Sequence, residues 1–171
     1  MSESSALPRF VLSTLCYVQK EDKTLMLHRI KKDKDIHQGK WNGLGGKLEA
    51  GESPEDCVIR EVREESGLLI EKPKFRGVMT FPAFKGSEDW TVFLFTADQF
   101  KGELQECAEG HLEWIANEKI ADLNLWEGDK YFLKWLEKDL FFSAKFIYKE
   151  KKLIDHSVVF YGDQNEKSGE L

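Results

Sequence analysis

Gly46-Lys-Leu-Glu-Ala-Gly-Glu52-Ser-Pro-Glu-Asp-Cys-Val-Ile-Arg60-Glu61-Val-Arg-Glu64-Glu65-Ser-Gly67-Leu68 is the stretch on which the reading of this chain turns. Ser53 can cap a helix, Pro54 sits at a tolerated first-turn position, Glu55 and Asp56 suit the positive N-terminal end, and Gly67 follows the last turn. The spacing predicts a helix over 53–66. On it, Glu61, Glu64 and Glu65 stand at i, i+3 and i+4, so three carboxylates leave one face as neighbours. Val58, Val62 and Leu69 are expected roughly a quarter turn away, an apolar side for packing. Like charges so placed repel by a few tenths of a kcal/mol per pair, and no lysine at i+4 relieves them. A hard divalent cation would: Mg²⁺ takes oxygen ligands and is usually shared between carboxylates and substrate phosphates. The preceding Gly43-Leu-Gly45-Gly46 lets backbone approach a ligand closely. These parts point to metal-assisted phosphoryl chemistry, against the plain alternative of a solvated acidic helix face.

Outward from this segment, Phe10 to Val18 and Thr24 to Arg29 are β-rich apolar runs separated by the charged turn Gln19-Lys-Glu-Asp-Lys23, a hairpin pattern. Further strands are expected at Phe75 to Phe81, Trp90 to Thr96, Phe142 to Tyr148 and Ser157 to Tyr161, and a second helix over Asp129 to Lys138. Strands and helices in mixed order predict an α+β or α/β sandwich with a mixed sheet. A single domain over 7–161 is expected, with 162–171 a polar, Gly-containing flexible tail.

The 171 residues carry 25 Lys and Arg against 31 Asp and Glu, a net charge of −6, which disfavours a protein that holds nucleic-acid polymers by bulk attraction. Seven acids and three bases lie between Gly46 and Leu68, so most of the imbalance sits in the candidate metal segment. Cys16, Cys57 and Cys107 are odd in number and widely spaced, which suggests neither a disulfide framework nor a thiolate zinc site. No leader-like start and no spanning apolar run is seen, so the expectation is a cytoplasmic protein without a membrane partner, monomeric or homodimeric. Gly45-Gly46-Lys47 lacks the spaced glycine of a P-loop, no serine sits in a G-x-S-x-G context, and His28, His37, His111 and His156 read as surface or loop residues. The run Arg29-Ile-Lys31-Lys32-Asp-Lys34 reads as a solvated loop or, alternatively, as an attractor of triphosphate.

From Gly46 there are five residues to Glu52 and seven more to Arg60, followed by Arg-Glu-Val-Arg-Glu-Glu-Ser-Gly-Leu. This resembles the Nudix signature G-x5-E-x7-R-E-U-x-E-E-x-G-U, with U apolar, at every fixed position. The resemblance implies an α/β/α sandwich with a mixed β-sheet, and a hydrolase that cleaves a nucleoside diphosphate linked to another moiety with Mg²⁺ (or Mn²⁺) as cofactor. It implies that Glu61, Glu64 and Glu65 are metal ligands, with Glu52, the Gly46 carbonyl and, from outside the signature, Glu109 as further contributors. Arg60 would orient a glutamate by ion pairing. Glu61 or Glu64 is the candidate base for the attacking water. Glu109 has the alternative of a surface-loop acid.

Substrate must be argued from other residues. Lys40-Trp41-Asn42-Gly43 and Leu125-Trp126-Glu127-Gly128-Asp129-Lys130-Tyr131-Phe132, with the late Phe141-Phe142-Ser-Ala-Lys-Phe146 strand, resemble the MutT-type branch that removes oxidised purine nucleoside triphosphates such as 8-oxo-dGTP. Trp126 and Phe81 could supply faces for a purine, and the Asn42 amide can both donate and accept. Asp129 could bind the base edge, cap the following helix, or both. Gly128 stands where such enzymes often carry a first aspartate of a pair, and Phe132 where they can carry tryptophan, which bears on breadth of purine selection more than on hydrolysis.

Overall fold

The computed structural model describes residues 7–162, so the expected tail falls, apart from Gly162, outside the described residues. In chain order the elements are β1 (Arg9–Lys20), β2 (Lys23–His28), β3 (Trp41–Asn42), α1 (Pro54–Ser66), β4 (Leu69–Glu71), β5 (Lys74–Lys85), β6 (Glu88–Ala97), β7 (Gln99–Lys101), β8 (His111–Ala116), a 3-10 turn at Asn117–Asp122, α2 (Asp129–Trp135), β9 (Phe141–Lys149) and β10 (Lys152–Tyr161).

Strand β1 is buried on both faces, which is why its apolar residues run on without alternation. Cys16 and Val18 pack with Val58 and Val62 of α1 and with Phe95, while Tyr17 packs on the other side with Met79, Phe132 and Phe146. The two cores lie on opposite faces of one mixed sheet, α1 over one and α2 over the other, as the α+β sandwich expectation requires. The sheet runs β10-β9-β5-β6-β1-β2-β3, with β8 also paired to β2, and β4 and β7 form a separate two-stranded ribbon. Pairing of β1 with β6 and of β5 with β9 is parallel; the remaining pairs are antiparallel. Among the described residues, no helix is long and apolar enough to cross a membrane, and all three cysteines are free and buried.

Helix α1 begins where its capping residues place it: Ser53 and Asp56 form a reciprocal capping box, and Gly67 closes the end in the left-handed conformation at φ +79°. Leu69 does not belong to its apolar side. The helix has ended by then, and Leu69 opens β4 as an exposed residue while Leu68 enters the core. Helix α2 stops at Trp135 rather than near Lys138, and just beyond its end the buried Arg76, reaching from β5, donates to the carbonyls of Leu136 (2.9 Å) and Lys138 (2.7 Å), which no helical turn satisfies.

For the site, the decisive feature is how briefly β1 and β2 stay together. They pair at Gln19–Thr24 and Lys20–Lys23, next to their turn, and the edge of β1 thus freed is taken by the glycine loop. Cys16 N donates to Leu44 O (2.6 Å), Leu44 N to Cys16 O (2.9 Å), Thr14 N to Gly46 O (2.8 Å) and Leu48 N to Leu12 O (3.0 Å). A side chain at Gly45 (φ +155°) would collide with the Thr14 carbonyl, so this close approach needs glycine.

Candidate active site

The glycine loop and α1 meet along this edge. Gly45 N donates to Glu65 Oε1 (3.2 Å), and a β-carbon at Gly46 would lie 2.6 Å from the carboxylate oxygens of Glu61, so the missing side chain is what leaves room for that group. The Gly46 carbonyl, expected near a metal, accepts from Thr14 N (2.8 Å) and Oγ1 (3.3 Å) and from the Cys57 thiol (3.4 Å).

Arg60 gathers the carboxylates. Its Nε and Nη2 grip Glu52 (2.5 and 3.0 Å), Nη1 reaches Glu61 (2.7 Å) and Glu64 (3.2 Å), and Glu49 lies 3.8 Å away. The fork holds the Glu52 carboxyl down to about 2. One cation against four carboxylates leaves a local excess of negative charge. Glu65 lies deeper: it is 8% exposed, and its Oε2 has no hydrogen-bond partner. Burial first, then the neighbouring charge of Glu109, pushes its pKa well above the carboxylate range. Glu109 lines the same cleft as Glu61 and is ion-paired to Arg29 (2.8 Å) and Lys32 (2.9 Å). Among the described residues no ready-made cage of three His, Cys, Asp or Glu side chains exists; Arg60 holds Glu52, Glu61 and Glu64, and Arg29 holds Glu109. The donor set nevertheless fits a hard divalent cation: oxygen ligands, uncompensated charge, and a buried carboxylate oxygen without a partner.

Glu65 gives this fit a direct check. A folded-state pKa raised above the ordinary 4.5 means that its contribution to stability is complete below that value and is lost as pH rises through the raised one. In metal-free protein at neutral pH, Glu65→Gln is therefore expected to raise Tm and to shrink the further rise that Mg²⁺ gives the wild type. Thermal melts with and without Mg²⁺ measure both; an unchanged Tm in each would show that the carboxylate needs no cation.

The carboxylates open into a cleft of about 700 Å³, within the usual range for a small-molecule site. Its lining includes Glu61, Gly46 and Lys47 from the α1 side of the sheet and Asp129, Phe132 and Trp126 from the α2 side. Asn42 and Phe81 line it as expected. Phe81 stacks on Phe146 (5.5 Å, 19°), and Trp126 is 5% exposed, both core and wall. Asp129 does not cap α2. Gly128 occupies the cap position without a side-chain bond, and the Asp129 carboxyl is buried at the cleft, where desolvation pushes its pKa up to about 8. It is largely protonated at neutral pH, one donor and one acceptor.

Several lining residues carry no local sequence signal. Phe84 comes from the β5–β6 hairpin, and Tyr148 from β9 accepts from Gly128 N (2.7 Å). Arg29, Lys32 and Lys34 of the basic run line the cleft, as the phosphate-attracting alternative requires. Of the histidines, His28, His111 and His156 lie on strands, and His37, in a loop, is half-buried in the cleft wall rather than on the open surface.

Comparison with known proteins agrees with this geometry. An uncharacterised Nudix hydrolase, YvcI, of Bacillus subtilis is 38% identical over 73% of this chain and 78% of its own. The oxidised purine nucleoside triphosphate hydrolase of Mus musculus is 32% identical over 72% of this chain and 79% of its own. The crystal structure of a MutT protein from Bacillus halodurans superimposes with a TM-score of 0.77 at 30% identity, covering 86% of this chain and 97% of that one. The NUDIX domain family matches residues 9–136, and with the carboxylate helix, the glycine loop and the cleft in place, the chain belongs to the Nudix hydrolases.

Proposed function

We propose that this hydrolase cleaves oxidised purine nucleoside triphosphates such as 8-oxo-dGTP to the monophosphate and diphosphate, with Mg²⁺ held by Glu52, Glu61, Glu64 and Glu65 and with Glu109 at the cleft side. The observation that carries the substrate reading is the placement of Asp129: its carboxyl is buried in an aromatic-walled cleft, where desolvation favours the protonated form, and a protonated carboxyl complements a base edge that sets an acceptor beside a donor, as O6 and N1–H of guanine do. Asn42, which also donates and accepts, suits the second edge, where oxidation at C8 turns N7 into a donor. Similarity to the mouse enzyme supports the same reading.

When bound, Mg²⁺ supplies charge neutralisation of the phosphates and lowers the pKa of a water. The chain's residues do the rest. Glu61, in the cleft, accepts the proton of the attacking water; Arg60 fixes its carboxylate; Lys47, Arg29 and Lys32 present cations to the phosphates. The aromatic wall of Phe81 and Trp126 holds the base so that the triphosphate lies across the carboxylates.

The test is kcat/KM with Mg²⁺ for 8-oxo-dGTP, dGTP, ATP and ADP-ribose. 8-oxo-dGTP should be turned over best, and Asn42→Ala should erode that preference while leaving slow hydrolysis of poor substrates nearly unchanged. Equal turnover of dGTP would overturn the substrate assignment; equal loss on all bases would make Asn42 structural.

A further inference from the structure

His37 stands between the 29–40 loop and the aromatic wall. Its backbone is pinned locally: His37 N donates to Asp35 Oδ1 (3.0 Å), Asp35 is gripped by Arg29, and Lys40 N donates to His37 O (2.8 Å). Its ring meets Phe84 in a stacked arrangement (6.1 Å, 24°) and Trp126 edge-on (5.7 Å, 84°). Trp126 Nε1 lies 2.8 Å from His37 Nδ1. An indole nitrogen is only ever a donor, so Nδ1 must be the acceptor and cannot carry a proton. An imidazolium would set two N–H groups against each other. The ring is thereby neutral with its proton on Nε2, and burial, followed by the charge of Arg29, acts in the same sense by pulling its pKa down to about 4.

A tautomer fixed in this way has a use only if something meets the other nitrogen. Nε2–H has no acceptor among the described side chains, and His37 lines the cleft. Its immediate surroundings are aromatic, where a hydrogen bond is stronger than in water and a flat base finds partners for its faces. From this geometry we infer that His37 is a specificity-determining residue whose Nε2–H donates to an acceptor on the edge of the bound nucleobase. Trp126 therefore has two parts to play, as a wall for the base and as the group that selects which nitrogen of His37 is the donor.

The inference rests on the nucleotide reading above, but the test separates the two, because it needs neither metal nor turnover. Calorimetric Kd values are measured for 8-oxo-dGMP, dGMP, dAMP and base-free 2-deoxyribose 5-phosphate on the full chain as wild type, His37→Phe and His37→Gln. Phenylalanine keeps a flat ring against Phe84 and lacks the donor; glutamine can still accept from Trp126 through Oε1 and donate through Nε2. His37→Phe is expected to weaken the best-bound nucleotide about 5–10-fold, His37→Gln to recover most of that, and the sugar phosphate to bind all three proteins alike. A parallel loss on the sugar phosphate would mean that His37 meets the phosphate, and unchanged Kd values in both variants would mean that it meets nothing; either result overturns the inference. Wild-type preference for a base other than 8-oxoguanine sinks the substrate assignment alone, with His37 then judged on the preferred base.

Discussion

Glu61→Gln is expected to lower kcat for 8-oxo-dGTP by about 10²–10⁴-fold, the range that a positioned general base contributes. Of the three signature carboxylates on α1, Glu61 is the one that lines the cleft, and Gly46 leaves the space above it clear. Glu64 is more exposed, its side chain 60% accessible, and Glu65 is sealed beneath the glycine loop. Glutamine keeps the shape of the group and its bond from Arg60 while losing the ability to take a proton. KM should change much less than kcat, and the fold should survive, since Arg60 keeps its two-pronged grip on Glu52. Steady-state kinetics on Glu61→Gln and Glu64→Gln side by side decide the assignment. If the second variant is nearly dead and the first retains more than a tenth of wild-type kcat, Glu64 is the base.

Asp129→Ala should lower kcat/KM for 8-oxo-dGTP by about 10–100-fold, mostly through KM, because a strong hydrogen-bonding group would be lost from a buried site. A pH series adds a signature that simple damage would not produce. The carboxyl, ordinarily near 3.8, is raised to about 8 by burial. Below that it donates and accepts; above it the donor is gone, and KM should climb as pH passes about 8. Asp129→Asn, which keeps a donor and an acceptor at all pH values, should flatten the climb. Stability follows the same sign: with the folded pKa raised, the contribution of Asp129 is full below about 3.8 and is lost as pH rises through about 8, so urea unfolding midpoints of wild type should fall across that window more than those of Asp129→Asn. An identical pH dependence of KM in the two proteins would remove Asp129 from base recognition.

The bounds of helix α1 were legible in the sequence because what sets them is local: a capping serine, a proline in the first turn, a glycine at the end, and carboxylates at helical spacing. Strands β1, β2, β5, β6, β9 and the second half of β10 were legible as local runs of β-branched and aromatic residues, whereas β8 was not read. The short strands β3, β4 and β7 are two or three residues each, and exist only because tertiary contacts supply their partners. The bonds of the Gly46 carbonyl were hidden too, since nothing near Gly46 says that Thr14, 32 residues earlier, will donate to it. His37 and Trp126 are 89 residues apart, and their bond depends on two loops that no periodicity describes. Asp129 shows a subtler limit: the residue was found, but whether it capped a helix or faced a ligand depended on a glycine taking the cap position one residue earlier.

Arg60 has a consequence for the life of the protein before any substrate arrives. With Glu52, Glu61 and Glu64 gathered around a guanidinium that cannot lose its proton, the acidic helix carries its own internal counter-ion. The fold is therefore expected to form without magnesium, unlike that of small domains which collapse only around their ion. Treated with a chelator, the chain should stay folded and take up Mg²⁺ again, losing only the added stability that the bound ion gives.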